Sequence, residues 1–292
     1  MFLSMNFAVQ TFVYATFARP GPIQTQIQTQ YRHIQMSSEQ QFDLNALRDG
    51  LKNSGLNMLS VFDASYVREQ LPEQTIPSNC NSVLLVGNAG PSMWQALPED
   101  SLAQDDPVDD FAVAVITRLL SQQLASENWQ ILFPYSAADS SLQLQRFGEL
   151  AGWHSASPLG IGIHRRFGLW FAYRALVALR VEIAAHNGSH VSLSGGAENI
   201  DALHNDEYRS PCLSCDGTPC ITACPSQALS VDRSPDLSAC ISHRRHPGSG
   251  CASTCVARLA CPVATRWQYP SSQIAYYYDR SLASAIRWVE DS

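Results

Sequence analysis

The chain has 292 residues, 45% of them hydrophobic, which suits one large unit or two modest ones with a real core. Its 19 Lys and Arg against 26 Asp and Glu give a net charge of -7, and only Lys52 is a lysine, a balance that argues against generic nucleic-acid binding. No run of about 18 apolar residues appears, so a spanning helix is excluded and no membrane partner is expected.

Residues 1–38 contain no Asp or Glu and carry Arg19, Arg32 and a Gln/Thr run from Gln24 to Gln30. Two readings fit this segment: an organellar targeting leader, or an upstream start codon with translation beginning at Met36. The spacing of Phe42, Leu44, Leu47 and Leu51 predicts a helix stopped near Gly55. Leu56 to Phe62 reads as a strand. Ser82 to Val86 reads as a second, fully apolar strand ending in a turn at Gly87-Asn88-Ala89-Gly90. An acidic stretch over 99–110 precedes a helix through to about Ser126, with Asp109 and Asp110 at its positive end.

Ile131 to Phe133 predicts a strand, and Leu142 to Leu150 a helix ending near Gly152. The Gly-rich run Pro158 to Gly168 opens into an apolar stretch from Leu169 to Ile183, read as two strands joined through Arg165–Gly168. The alternation over 42–200 predicts an α/β (α+β) domain over residues 39–205. A small two-cluster ferredoxin-like domain is expected over 206–265, and a tail with one amphipathic helix, around Arg280–Glu290, over 266–292.

Eight of the nine cysteines fall between Cys212 and Cys261. A secreted disulfide scaffold would be smaller and would spread them more evenly, so they read as metal ligands in a reducing, cytoplasmic setting. The first run is Cys212, Cys215, Cys220 and Cys224-Pro225; the second is Cys240, Cys251, Cys255 and Cys261-Pro262. The first matches the bacterial ferredoxin pattern widened by two residues.

In two-cluster ferredoxins the Cys-Pro cysteine of each run ligates the other cluster. The swap assigns Cys212, Cys215, Cys220 and Cys261 to one [4Fe-4S] cluster, A. Cys224, Cys240, Cys251 and Cys255 fall to the second, B. Two structural zinc sites are the competing reading, since zinc also takes four thiolates; the Cys-Pro endings favour iron–sulfur. Cys80 reads as a small buried hydrophobe.

The order of these parts resembles the epoxyqueuosine reductase family, which is related to the corrinoid reductive dehalogenases. The carrying residues are the two cysteine runs, Gly160-Ile161-Gly162-Ile163-His164-Arg165-Arg166-Phe167-Gly168-Leu169-Trp170-Phe171 and Cys240-Ile241-Ser242. The resemblance spans about residues 42–262. It implies a base-off cobalamin between the first domain and a cluster, in a cleft near Gly160, Gly162, His164 and Gly168. It also implies a catalytic acid at Asp139, for which capping the helix that follows is the competing role.

Only 30 residues follow Pro262, where the tRNA-reading members carry helical repeats, and with the acidic charge this points away from a tRNA substrate. The expected function is an iron–sulfur oxidoreductase. It would take electrons from a redox protein and pass them through two clusters to a small-molecule or corrinoid acceptor. The alternative is a non-catalytic electron carrier or a cobalamin-handling protein.

Overall fold

The chain begins its described structure on an amphipathic helix, α1 (Leu44–Asn53), with Asp43 accepting from the amides of Asn45 and Ala46. The computed structural model describes residues 42–134, 142–183, 190–192 and 210–290. The expected leader over 1–38, and Asp139, lie outside the described residues.

Five strands follow in chain order: β1 (Met58–Asp63), β2 (Ser82–Ala89), β3 (Trp129–Phe133), β4 (Phe171–Leu179) and β5 (His190–Ser192). They form one sheet in the order β3-β4-β2-β1-β5, with every neighbouring pair antiparallel. Mixed helices on an antiparallel sheet make this an α+β arrangement. The helices between strands are α2 (Ala64–Gln70), α3 (Ser92–Ala96), α4 (Pro107–Ser121) and α5 (Leu144–Leu150).

Both faces of the sheet are buried. Leu84 and Val86 of β2 pack with Leu59, Val61, Val177 and α4 on one face. Val83 and Leu85 pack with Phe62, Leu176, Phe147 and Trp153 on the other. Side chains alternate along a strand, so a strand covered on both faces is apolar throughout, which is why Ser82 to Val86 shows no alternation.

Several expectations need correction. β2 does not end at Val86; it continues through a bulge at Val86/Gly87 to Ala89, so Gly87, Asn88 and Ala89 are strand and not turn. The helix expected to reach Ser126 stops at Ser121. The two-strand reading of the Gly-rich region also fails. Only β4 is a strand there, and the upstream segment makes single bridges, Ser155 to Ile163 and His164 to Gly168.

The cysteine-bearing segment is built of short helices and turns: α6 (Pro219–Thr222), α7 (Leu237–Arg245) and α8 (Val256–Leu259). The final helix, α9 (Ser271–Glu290), begins nine residues before the expected Arg280. The described residues pack as one unit. No helix among the described residues is long and apolar enough to cross a membrane.

Candidate metal centre

Each cysteine run ends the same way. α6 and α8 are four-residue helices whose last caps, Ala223 and Ala260, share nearly the same backbone angles (φ -78, ψ -10 and φ -74, ψ -9). A Cys-Pro pair follows each, Cys224-Pro225 and Cys261-Pro262. The proline cannot continue the helix, so each cysteine leaves its helix at a fixed exit. α6 and α8 pack against each other, which carries the last cysteine of each run toward the other run.

The widened loop of the first run turns through Gly217 and Thr218, both with positive φ (69 and 41). Glycine takes that conformation freely, and nothing lies within 4 Å of where its side chain would be.

The thiols fall into two groups. Burial raises the pKa of Cys220 first, and the neighbouring thiols of Cys261, Cys212 and Cys215 raise it further. Burial, then Cys261 and Cys215, raise that of Cys212, against a hydrogen bond from Ser210. Burial also raises Cys261, which Cys215 pushes in the same direction. In the second group, burial raises Cys240, and the Cys255, Cys224 and Cys251 thiols add to it, while Arg244 opposes. Close thiols hold one another protonated because two neighbouring thiolates repel. Cys224 therefore keeps company with the second run, and Cys261 with the first.

Cys224, Cys240, Cys251 and Cys255 also line one cavity of about 400 Å³. Its wall includes Leu159 and Ile161 of the Gly-rich segment, Pro235, Arg244, Arg258 and, from α9, Tyr278. Arg244 is 8% exposed, donates to the Tyr278 carbonyl at 2.8 Å, and lies 4.9 Å from the Tyr278 ring centre. Arg258 donates to the Leu169 carbonyl and stacks over Trp170 at 4.6 Å and Tyr269 at 5.3 Å. The Nε of both arginines is buried without a partner. Among the described residues neither meets a carboxylate; the ion pairs found there belong to Arg48 and Arg146.

Among the described residues no three His, Cys, Asp or Glu side chains are gathered closely enough to hold a single metal ion. Four thiolates on one zinc, at about 2.3 Å each, need that closeness. Four thiols thus line one cavity, and its wall holds the unpartnered Nε atoms of Arg244 and Arg258.

The Gly-rich segment packs against the cysteine segment. Gly168 has φ +59, and a side chain there would stand 2.4 Å from the Val263 carbonyl oxygen. Gly160, at φ +71, faces the Pro235 ring, and Gly162 lies against the His154 ring. Ile163 and Leu169 form a buried cluster with Cys261, flanked by Cys212.

His164 is buried, and its Nδ1 accepts from the amides of Arg166 and Phe167 at 2.9 and 3.2 Å. Burial, assisted by Arg166, lowers its pKa to about 4. His154 pairs with the Tyr173 hydroxyl at 3.2 Å, and burial lowers its pKa as well. Trp170, Phe171 and Tyr173 are packed aromatic residues, with Tyr173 stacked on Trp153. Cys80 is buried in the sheet core, and burial raises its thiol pKa.

Arg258 and Tyr278 were not singled out by sequence reasoning. The available signals were the three-residue step from Cys255 to Arg258 and the Tyr276-Tyr277-Tyr278 run. Arg244 belongs to the cationic run His243–His246, which lies inside the second cysteine set, between Cys240 and Cys251.

No family model matches the chain, and no curated protein does. Among solved structures, one similar chain is the C. elegans B12-trafficking protein CblC, described as a human MMACHC homologue. It is 16% identical with a TM-score of 0.37, over 48% of this chain and 69% of that one.

Proposed function

We propose that the chain is an iron–sulfur redox protein holding two [4Fe-4S] clusters on swapped ligand sets. Cluster A rests on Cys212, Cys215, Cys220 and Cys261, and cluster B on Cys224, Cys240, Cys251 and Cys255. The observation that carries this reading is the single cavity lined by Cys224 together with the three other cysteines of the second set. The two carboxylate-free arginines in its wall support it, because a thiolate-bound cluster supplies the negative charge they lack. The two Cys-Pro endings and the three-residue step before the first of them favour a cube over zinc.

When bound, the clusters supply one-electron transfer. The chain's own residues do the rest. The Cys-Pro exits set the ligand swap, the Gly-rich segment and α9 contribute to the wall beside the second set, and Arg244 and Arg258 offset the charge at cluster B. A redox protein is the proposed donor. A corrinoid is the proposed acceptor, supported by the resemblance of the Gly-rich run and cysteine runs to the epoxyqueuosine reductases.

The ligand swap gives a direct test by electron paramagnetic resonance on anaerobically reconstituted full-length chain. Cys224→Ala and Cys240→Ala are expected to alter the same signal, and Cys212→Ala and Cys261→Ala the other. If Cys224→Ala instead matches Cys212→Ala, the swap is wrong. Titration with cobalamin tests the acceptor separately, through the visible absorption of the corrin ring. No spectral change at any ratio would remove the corrinoid and leave an electron carrier.

A further inference from the structure

Positive charge is gathered on two segments that pack together. Residues 150–181 and 237–278 hold eight arginines and no Asp or Glu, in a chain whose net charge is -7. Six acids lie instead over residues 99–110. The first segment carries the Gly-rich turn and the second carries Cys261, and Gly168 meets the Val263 carbonyl where they touch.

Paired backbone hydrogen bonds between His164 and Gly168 close a tight turn with Arg165, Arg166 and Phe167 at its tip. The Phe167 ring meets Trp267 edge-on, at 4.8 Å between centres. Arg166 lies over Phe167 at 5.5 Å and Arg266 over Trp267 at 6.0 Å, so guanidiniums of the two segments gather around one ring pair. Arg165 and Arg266 are exposed, and among the described residues neither pairs with a carboxylate. Like charges held this close repel one another, and an anionic partner relieves that repulsion.

The patch borders the first cysteine set. Val263 and Cys212 flank the buried cluster that contains Cys261. Leu213, next to Cys212, is 77% exposed and offers an apolar contact beside the charged rim.

Resting on the two-cluster reading above, we infer that Arg165, Arg166 and Arg266 form the docking face for the electron donor, a small acidic one-electron carrier protein. The chain as a whole repels such a partner, so attraction confined to this face also orients it. The step is one electron from the reduced carrier into the clusters on the Cys261 side. The carrier is oxidised by one electron, and no proton or bond is exchanged.

The test uses a [2Fe–2S] ferredoxin of strongly negative net charge as the probe, with anaerobically reconstituted full-length chain. Calorimetry is expected to show binding at low salt that weakens as salt rises. The double variant Arg165→Gln, Arg266→Gln should bind about tenfold more weakly or worse, and its clusters should be bleached more slowly by pre-reduced ferredoxin. Arg165→Lys with Arg266→Lys keeps the charge and should restore both, which separates lost charge from a damaged fold. Arg118→Gln makes a charge change on an exposed residue of α4, outside both segments, and should alter neither.

No binding at low salt, no bleaching by the reduced ferredoxin, or a double variant that matches the unsubstituted chain overturns the inference and leaves the two clusters in place. So does a single-stranded oligonucleotide whose binding is lost in the double variant while ferredoxin binding is kept, which would give the face to nucleic acid. Protein that takes up no iron and sulfide overturns the cluster reading and this inference together.

Discussion

His164 carries a clear pH signature among the described residues. Its ring is enclosed between Phe167, at 4.6 Å between centres, and Phe171, and its Nδ1 accepts two backbone amides. Charging the ring would turn that acceptor into a donor facing two donors. With the folded pKa near 4 and an ordinary unfolded value near 6.5, the unfolded chain binds more protons between these limits. Stability from this group is therefore full above about pH 6.5 and falls as pH drops toward 4. Between pH 7.5 and 5 the expected loss is about 2 kcal/mol. His164→Asn keeps an acceptor for both amides without the titration, so urea unfolding at the two pH values should show that part of the slope gone. An unchanged slope would mean another group carries it.

Residues of this kind divide by how far their signal reaches along the sequence. The two cysteine runs are legible because their spacing is local, and the structure places Cys224 with Cys240, Cys251 and Cys255 around one cavity. Arg258 and Tyr278 reach the same cavity from α8 and α9, and only packing brings them together. His164 reads as a cofactor-cleft residue by its place in the Gly-rich run, and its Nδ1 is turned onto the amides of its own turn.

The Gly-rich segment and α9 are the elements that join the sheet to the cysteine segment. Sequence alone reads the former as a hairpin of two strands, because glycines flanked by apolar residues mark such turns. The structure needs those glycines for close approach instead: Gly168 meets the Val263 carbonyl just after Cys261-Pro262. Gly168→Ala adds a methyl 2.4 Å from that oxygen at a left-handed φ. The expected cost is on the order of 1–3 kcal/mol, seen as a lower urea midpoint with an unchanged slope. A midpoint equal to that of the unsubstituted chain would show that the segment does not pack as described.

In α9, Tyr276 meets Trp94, the Tyr277 hydroxyl accepts from Arg174 at 3.1 Å, and Arg280 donates to the carbonyls of Leu102, Gln104 and Asp105. The helix expected as a tail is thus anchored on the sheet side as well as at the cavity. Arg280→Ala removes those three bonds, and the helix should loosen near its C-terminal half. Faster amide exchange across Tyr276–Leu282 would report it, and unchanged protection would contradict it.

At the scale of the molecule, the alternation of helix and strand patterns was legible and the direction of the strands was not. β2 and β4 are apolar on both faces because helices cover both, and such runs look alike in parallel and antiparallel sheets. The pairing is set by contacts between distant segments, such as Leu84 with Val177 and Val61 with Leu84. What the fold positions is a cysteine segment in contact with both the Gly-rich turn and α9.

The account stands on two tetrathiolate sites, so the decisive measurement is metal and acid-labile sulfide on anaerobically reconstituted full-length chain, by elemental analysis and native mass spectrometry. It predicts about eight irons and about eight sulfides per chain, bleached by dithionite. Stoichiometric zinc without sulfide, or about four irons that no single cysteine substitution reduces further, would contradict it.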